Sequence, residues 1–354
     1  MAGPERVRAS LDDLAGSESP GLQYLVLDDA RTVFEYAGGW ADLGRHVPMA
    51  LTTTMMAYSM SKTITAASVL QLVEAGTVEL DSPATRYLAD IPYGPVTVRQ
   101  LLAHTSGIPN PIPLRWVHLA GRHATFDEDA ALAAVLRRHP RLSSPPGTRY
   151  AYSNIGYWLL GEIVKRASGE QLSSYVVTHV LQPLGVLSQA LGYVVPDPSH
   201  HAVGYLEKYS LTNLAKGLLI DRELIGEYHG RWLSIRSHYV NGAAFGGLVG
   251  TARGFGTFLQ DQLGRRSRLF GDATRALFYA PQHTARGTPS AMTLGWHIGD
   301  LDGMPFFYKE GGGGGFHCLM RLYPDRGLGT VLMSNATGFD VRKYMNVLDA
   351  EFVR

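Results

Sequence analysis

Strand-patterned segments stand at both ends of this chain, and helix-patterned segments fill its middle. Near the start, Leu22 to Leu27 and Thr32 to Tyr36 are β-rich runs on either side of a turn at Asp28-Asp29, the pattern of a hairpin. Near the end, Met304 to Lys309, Cys318 to Tyr323 and Thr330 to Ser334 are strand-like, and Phe339 to Phe352 has the spacing of a closing helix. Between them, Val96 to Leu102, Glu128 to Leu136 and Gly254 to Leu263 carry helical spacing, as does Ile155 to Ala167, which Gly169 closes. Pro109 to Pro113 and Pro196 to Pro198 read as loops. One sheet built from both termini makes the middle an insertion. The expectation is an α/β domain from residues 1–80 and 240–354, an all-α insertion over 81–239, and an active-site cleft between them.

Composition narrows the function classes. The chain has 354 residues and a formal net charge of +1, so no global field draws it to nucleic acid or to a membrane surface. Cys318 is the single cysteine, which excludes an internal disulfide and a cysteine metal cluster. On a strand-like run it reads as a small buried hydrophobe. There is no H-E-x-x-H among the thirteen histidines, so neither a metal nor another cofactor is expected. No apolar run reaches the roughly 18 residues that a bilayer span needs. Met1 to Gly21 lacks the apolar stretch of a secretory signal, which makes a cytoplasmic location the expectation.

Three short motifs carry chemistry: S-x-x-K at Ser59 to Lys62, Y-x-N at Tyr152 to Asn154, and K-x-G at Lys309 to Gly311. After the first, Ile64, Ala67, Leu70 and Val73 recur at helical spacing and Gly76 ends the run, so Ser59 opens a helix. Residues three apart share a helix face, so Lys62 reaches Ser59. A serine hydroxyl is a weak nucleophile until a base takes its proton. A lysine serves once burial or a nearby positive charge lowers its pKa, whereas arginine stays protonated. Lys309 is placed to supply such a charge. Lysine occurs only at 62, 165, 208, 216, 309 and 343 in an arginine-rich chain, so its retention in two motifs is informative. The competing readings are a helix cap for Ser59, loop residues for Tyr152 and Asn154, and a surface lysine for Lys309. A second Y-x-N, Tyr344 to Asn346, falls in the closing helix. The glycine run lacks the Lys-Ser/Thr of a phosphate loop, and no G-x-S-x-G is present.

Longer segments around these motifs resemble the serine hydrolases of the class C β-lactamase superfamily, which includes penicillin-binding-protein-type carboxypeptidases and family VIII esterases. The resemblance rests on Ser59-Met60-Ser61-Lys62-Thr63-Ile64-Thr65-Ala66, Leu101-Leu102-Ala103-His104-Thr105-Ser106-Gly107, Tyr150-Ala151-Tyr152-Ser153-Asn154-Ile155-Gly156-Tyr157, Gly246-Gly247-Leu248-Val249 and Gly295-Trp296. Lys309, seven residues before Phe316, matches the third motif. The resemblance implies a β-lactamase/transpeptidase-like fold, with an antiparallel sheet flanked by helices. It also implies an acyl-serine on Ser59, with Lys62 and Tyr152 sharing proton transfer in an order the sequence leaves open. Asn154, Lys309, Gly311 and Gly312 would bind substrate, the amides of Ser59 and Gly312 forming the oxyanion hole. The departure is Glu310, where the family has a threonine. A carboxylate facing the pocket would repel acidic substrates, whereas strand alternation would turn it away. Gly312 to Gly315 implies either a wider pocket floor or a mobile loop.

The expected partner is a small acyl substrate, with the oligomeric state open. The leading function is cleavage of small esters or amides. The alternatives are a β-lactamase or D-alanyl carboxypeptidase, a biosynthetic acyltransferase, and a non-catalytic binding protein on the same scaffold.

Overall fold

The computed structural model describes residues 3–111, 116–210 and 221–354. Seven strands make one sheet, in the order His297–Leu301, Met304–Gly313, Phe316–Tyr323, Leu328–Ser334, Gly21–Leu27, Thr32–Asp42 and Val47–Pro48. Every neighbouring pair is antiparallel. The two ends of the chain meet where Leu22–Leu27 runs against Ser334–Gly329. All seven residues of Gly21–Leu27 are buried, because both faces of the sheet are covered. Leu22, Tyr24 and Val26 pack with Val7, Leu11, Met345 and Leu348 on one face. Leu25 and Leu27 pack with Phe255, Phe258 and Leu259 of the Ala252–Leu263 helix on the other.

The face carrying Val7 and Leu11 belongs to a helix that the sequence reading lacked, Gly3–Ser17, with a break at Ala15 and Gly16. Only Val7 and Leu11 of it are buried, too narrow an apolar stripe to stand out among charged residues. It lies beside the closing helix, Val341–Val353. Beneath that helix, Asp349 accepts from Tyr24 Oη at 2.7 Å, Tyr323 Oη at 2.7 Å, Thr330 Oγ1 at 3.1 Å and Arg321 Nη1 at 3.2 Å. Both partners of this ion pair are buried, and it ties the closing helix to three strands.

The middle of the chain supplies the expected helices Val98–Leu102, Glu128–Arg138 and Asn154–Ser168, the last ended by Gly169 at φ 78°. The all-α expectation for this section needs correction, because short strands run through it. Gly204–Glu207, Trp232–Ile235 and Ile225–His229 form a three-stranded sheet, and Val117–Leu119 pairs with His238–Val240. Strands of three to five residues are too short for alternation to declare itself. Pro198 opens a single 3-10 turn, Pro198–His200, rather than a plain loop. Residues 112 and 113 of the loop expected over Pro109 to Pro113 lie outside the described residues.

At the junction of sheet and helices runs Ser61–Glu74, in which eleven of fourteen residues are buried. Three of its buried hydroxyls are satisfied by backbone of other segments. Thr63 Oγ1 donates to Gly295 O at 3.1 Å, Thr65 Oγ1 donates to Ala244 O at 2.8 Å, and Ser61 Oγ accepts from Leu248 N at 3.0 Å. These bonds draw the Gly246 to Val249 and Gly295-Trp296 segments against the helix. Among the described residues, no helix is long and apolar enough to cross a membrane.

Candidate active site

Ser59 lies in a tight turn, Tyr58–Met60, that leads directly into the buried helix. Tyr58 holds φ at 45°, a left-handed conformation that is costly for a bulky residue. The turn aims Ser59 Oγ at two groups. Lys62 Nζ is 2.9 Å away and Tyr152 Oη is 2.8 Å away. Lys62 Nζ also donates to Asn154 Oδ1 and to Phe245 O, each at 2.7 Å. Asn154 opens the Asn154–Ser168 helix, which Ser153 caps by accepting from Gly156 N at 3.0 Å. The Y-x-N motif is therefore the entrance of a helix, and this brings Tyr152 and Asn154 to the same lysine.

Burial sets the electrostatics. Lys62 has no exposed surface, and burial, aided by the charge of Lys309, pushes its pKa well below 10.5. Lys309 is also fully buried, and burial brings it down to about 7. Its Nζ finds no hydrogen-bond partner among the described residues and lies 5.4 Å from the centre of the Tyr152 ring. Tyr152 moves the opposite way, because burial holds its phenol protonated.

Contact, not a wide floor or a loose loop, explains Gly311, Gly313 and Gly315. Met304–Gly313 lies directly on the turn that carries Ser59. A Cβ on Gly311 would stand 2.0 Å from Ala57 O and 2.8 Å from Ser59 N. One on Gly313 would stand 2.3 Å from the Tyr58 ring, and one on Gly315 2.4 Å from Gly204 Cα. Gly312 alternates to the other face, toward the His317 ring.

Glu310 also points to that other face. It accepts from His317 Nε2 at 2.8 Å and from Arg342 Nε, at the start of the closing helix. Burial works against its charge, but the hydrogen bonds from His317 and Arg342 hold its carboxyl below the usual range. The strand-alternation alternative therefore describes this residue, and its carboxylate is tied down away from Lys309. Cys318 is buried on its strand, and Asn346 of the second Y-x-N accepts from Arg321 Nη2 at 2.6 Å in the closing helix.

The structure adds residues to the sequence-derived set. Phe245 contributes its carbonyl to Lys62, an interaction no side-chain motif announces. His104 packs on Tyr152 at a tilt, with ring centres 4.3 Å apart, and its Nδ1 accepts from Ser153 N at 3.2 Å. Burial, then the charges of Lys309 and Lys62, keep its imidazole neutral. His297 continues the stack, 6.5 Å from Tyr152, and shares a 3.1 Å hydrogen bond with Tyr150 Oη. The one sequence signal for His104 was its place in the Leu101 to Gly107 segment. No group of three or more His, Cys, Asp or Glu among the described residues could hold a metal ion.

Comparison with known proteins shows what the chain as a whole is similar to. The chain is 33% identical to esterase EstB of Burkholderia gladioli over 204 residues, which cover 52% of this chain and 50% of that protein. It is 26% identical to protein flp of Staphylococcus aureus over 201 residues, covering 54% of this chain and 39% of flp. The chain thus spans half or less of the length of these curated relatives. Among solved structures, D-amino acid amidase of Ochrobactrum anthropi superposes with a TM-score of 0.81 at 21% identity, covering 99% of this chain and 98% of that one, a likeness of fold. The Beta-lactamase family model matches residues 7–354, nearly the whole chain, and the chain belongs to that family.

Proposed function

We propose that the protein is a serine hydrolase that cleaves small esters or amides through an acyl-Ser59 intermediate. The observation that carries this is the convergence of buried Lys62 Nζ and Tyr152 Oη on Ser59 Oγ. The names of EstB and of the amidase that shares the fold point to the same substrate classes.

Hydrogen-bond accounting supports Lys62, once neutral, as the first base. Asn154 Oδ1 and Phe245 O only accept, so two protons of Lys62 face them. A neutral amine has two protons and one lone pair. That lone pair then faces Ser59 Oγ and takes its proton as the oxygen attacks the carbonyl. Tyr152, held as the phenol, donates to Ser59 Oγ and is poised to protonate the leaving group, regaining a proton through Lys62. Lys309, when it carries its proton, makes the pocket positive and so favours the neutral form of Lys62. The amides of Ser59 and Gly312 receive the oxyanion, since Gly311 brings this strand against the Ser59 amide. Water attacking the acyl-serine by the reverse proton route completes the cycle.

Ser59→Ala tests the proposal. It should keep the thermal midpoint and lose both p-nitrophenyl acetate turnover and labelling by a fluorophosphonate. Turnover near that of the wild type would reject it. Short esters should also be better substrates than nitrocefin. The threonine hydroxyl expected to hold a lactam carboxylate is absent, and Glu310 points elsewhere, which leaves Lys309 to pair that carboxylate without the hydroxyl as it leaves water. A higher kcat/KM for nitrocefin would overturn the ester preference.

A further inference from the structure

Tyr58 precedes the nucleophile, holds a left-handed backbone, and is only 7% exposed. A bulky residue keeps such a conformation where its surroundings over-determine it. Here the side chain runs beneath the glycine run. Its ring occupies the place where a Gly313 Cβ would stand. Its hydroxyl lies 2.9 Å from His238 Nε2 and 3.0 Å from Gly314 O. One phenol thus bridges the turn that carries Ser59 and the segment that follows Gly312.

The proton count at this bridge is unusual. His238 Nδ1 lies 2.9 Å from Arg236 O, which only accepts, so Nδ1 carries a proton. In the neutral imidazole, Nε2 is then bare. Tyr58 has one O–H and faces two acceptors, His238 Nε2 and Gly314 O. One of the two contacts must lack a hydrogen, which is costly in a buried site. A proton on His238 resolves the conflict. Nε2–H donates to Tyr58 Oη, Tyr58 O–H donates to Gly314 O, and Nδ1–H stays on Arg236 O.

We propose that Tyr58 is a positioning residue of the oxyanion hole, pinning the Gly311 to Gly315 segment to the nucleophile turn, and that its grip on Gly314 strengthens when His238 takes a proton. This rests on the oxyanion-hole reading above. The groups that bear on the pair come from every neighbouring element. His118 stands on the Val117–Leu119 strand that pairs with the His238–Val240 strand. His201 senses His238 from the far side. Cys318 bears on Tyr58 from the sheet, and Arg236 lies two residues from His238. Burial lowers the His238 pKa and His118 lowers it further, against the Arg236 carbonyl. The proton therefore arrives on the acid side of the ordinary histidine range.

Tyr58→Phe keeps the ring and deletes the bridge. The oxyanion exists only beyond the ground state, so kcat should fall roughly 10-fold or more while KM stays within about twofold. The pH profile separates positioning from mere structure. In the wild type, protonation of His238 should raise kcat below about pH 6.5 relative to the falling acid limb that Lys62 imposes. That rise should vanish in Tyr58→Phe and in His238→Gln. A Tyr58→Phe enzyme with wild-type kcat overturns the inference, as does an acid-side rise missing from the wild type or persisting in that variant. Should His238→Gln fail to fold, Tyr58→Phe alone decides. The two readings fail separately: an active Ser59→Ala rejects the hydrolase proposal, whereas an inactive Ser59→Ala beside a fully active Tyr58→Phe rejects only this one.

Discussion

Lys309→Met should stabilise the fold while impairing the enzyme. Lys309 is fully buried, its Nζ has no hydrogen-bond partner among the described residues, and its pKa falls from 10.5 to about 7. At ~1.36 kcal/mol for each pH unit, that drop corresponds to roughly 5 kcal/mol of destabilisation when the folded protein carries the charge. The sign follows from proton uptake. Between pH 10.5 and about 7 the unfolded chain holds a proton that the folded chain lacks, so stability declines as pH falls through this window and levels off below it. Methionine has neither the charge nor the titration. Its advantage should be near zero at the top of the window and largest at pH 7 and below. Loss of the contacts between Lys309 and the Tyr152 and Tyr157 rings offsets about 1–2 kcal/mol. A net gain of about 3 kcal/mol at pH 7 remains, which is a rise of several degrees in thermal midpoint. Removing the charge also lets the Lys62 pKa climb, so the acid limb of kcat/KM should move to higher pH. Thermal melts of both proteins at pH 6, 7.5 and 9, with ester kinetics over the same range, supply the comparison. A Met variant less stable at every pH, or a difference in midpoint that does not vary with pH, would refute the reasoning.

Lys62→Arg retains the charge but cannot give up a proton, so kcat should drop on the order of 10²-fold or more with the fold intact; near-normal turnover would make Lys62 only an electrostatic neighbour. Gly311→Ala drives a methyl into Ala57 O and the Ser59 amide, and should cost on the order of 10²-fold in kcat and about 1–3 kcal/mol of stability, read from ester kinetics and urea titration. Asp349→Ala leaves Arg321 buried without its carboxylate and should cost about 3–5 kcal/mol in urea unfolding, with kcat of the folded fraction little changed, since the pair lies under the closing helix rather than at Ser59.

The elements that could be read from the sequence were those with strong local chemistry. The hairpin, the helix after Ser59 and the three C-terminal strands each carry a period and a terminator, and each appears where it was expected. The grouping of Ser59, Lys62, Tyr152 and Asn154 was legible because S-x-x-K places two groups on one helix turn, and because longer segments fixed which Y-x-N belonged with it. What escaped depends on tertiary contact. The Gly3–Ser17 helix buries too few residues to show a period, and the three-stranded sheet of the middle section is held by pairing between residues up to about thirty apart. The role of the Phe245 carbonyl has no residue-type signature. Glycines can be counted in a sequence, but which backbone each must admit cannot; only the approach of Ala57, Tyr58 and Gly204 distinguishes a tightly packed strand from a loose one.

That packing bears on why this site can hold two buried lysines. Each is pushed toward neutrality by burial, and for Lys62 the charge of Lys309 adds to the effect. Such a site destabilises the fold, and it keeps its geometry only if its walls cannot relax to admit water or separate the amines. The helix after Ser59 is locked by Thr63, Thr65 and Ser61, the Lys62 amine by Asn154 and Phe245, and the opposite strand by glycines pressed on the turn. The compensating stability lies elsewhere, in a sheet covered on both faces and in the Arg321–Asp349 network at its far side. Stabilising changes should therefore be cheapest in activity when made around that network and dearest when made at Lys309, where the destabilising charge and the tuning of Lys62 are the same interaction.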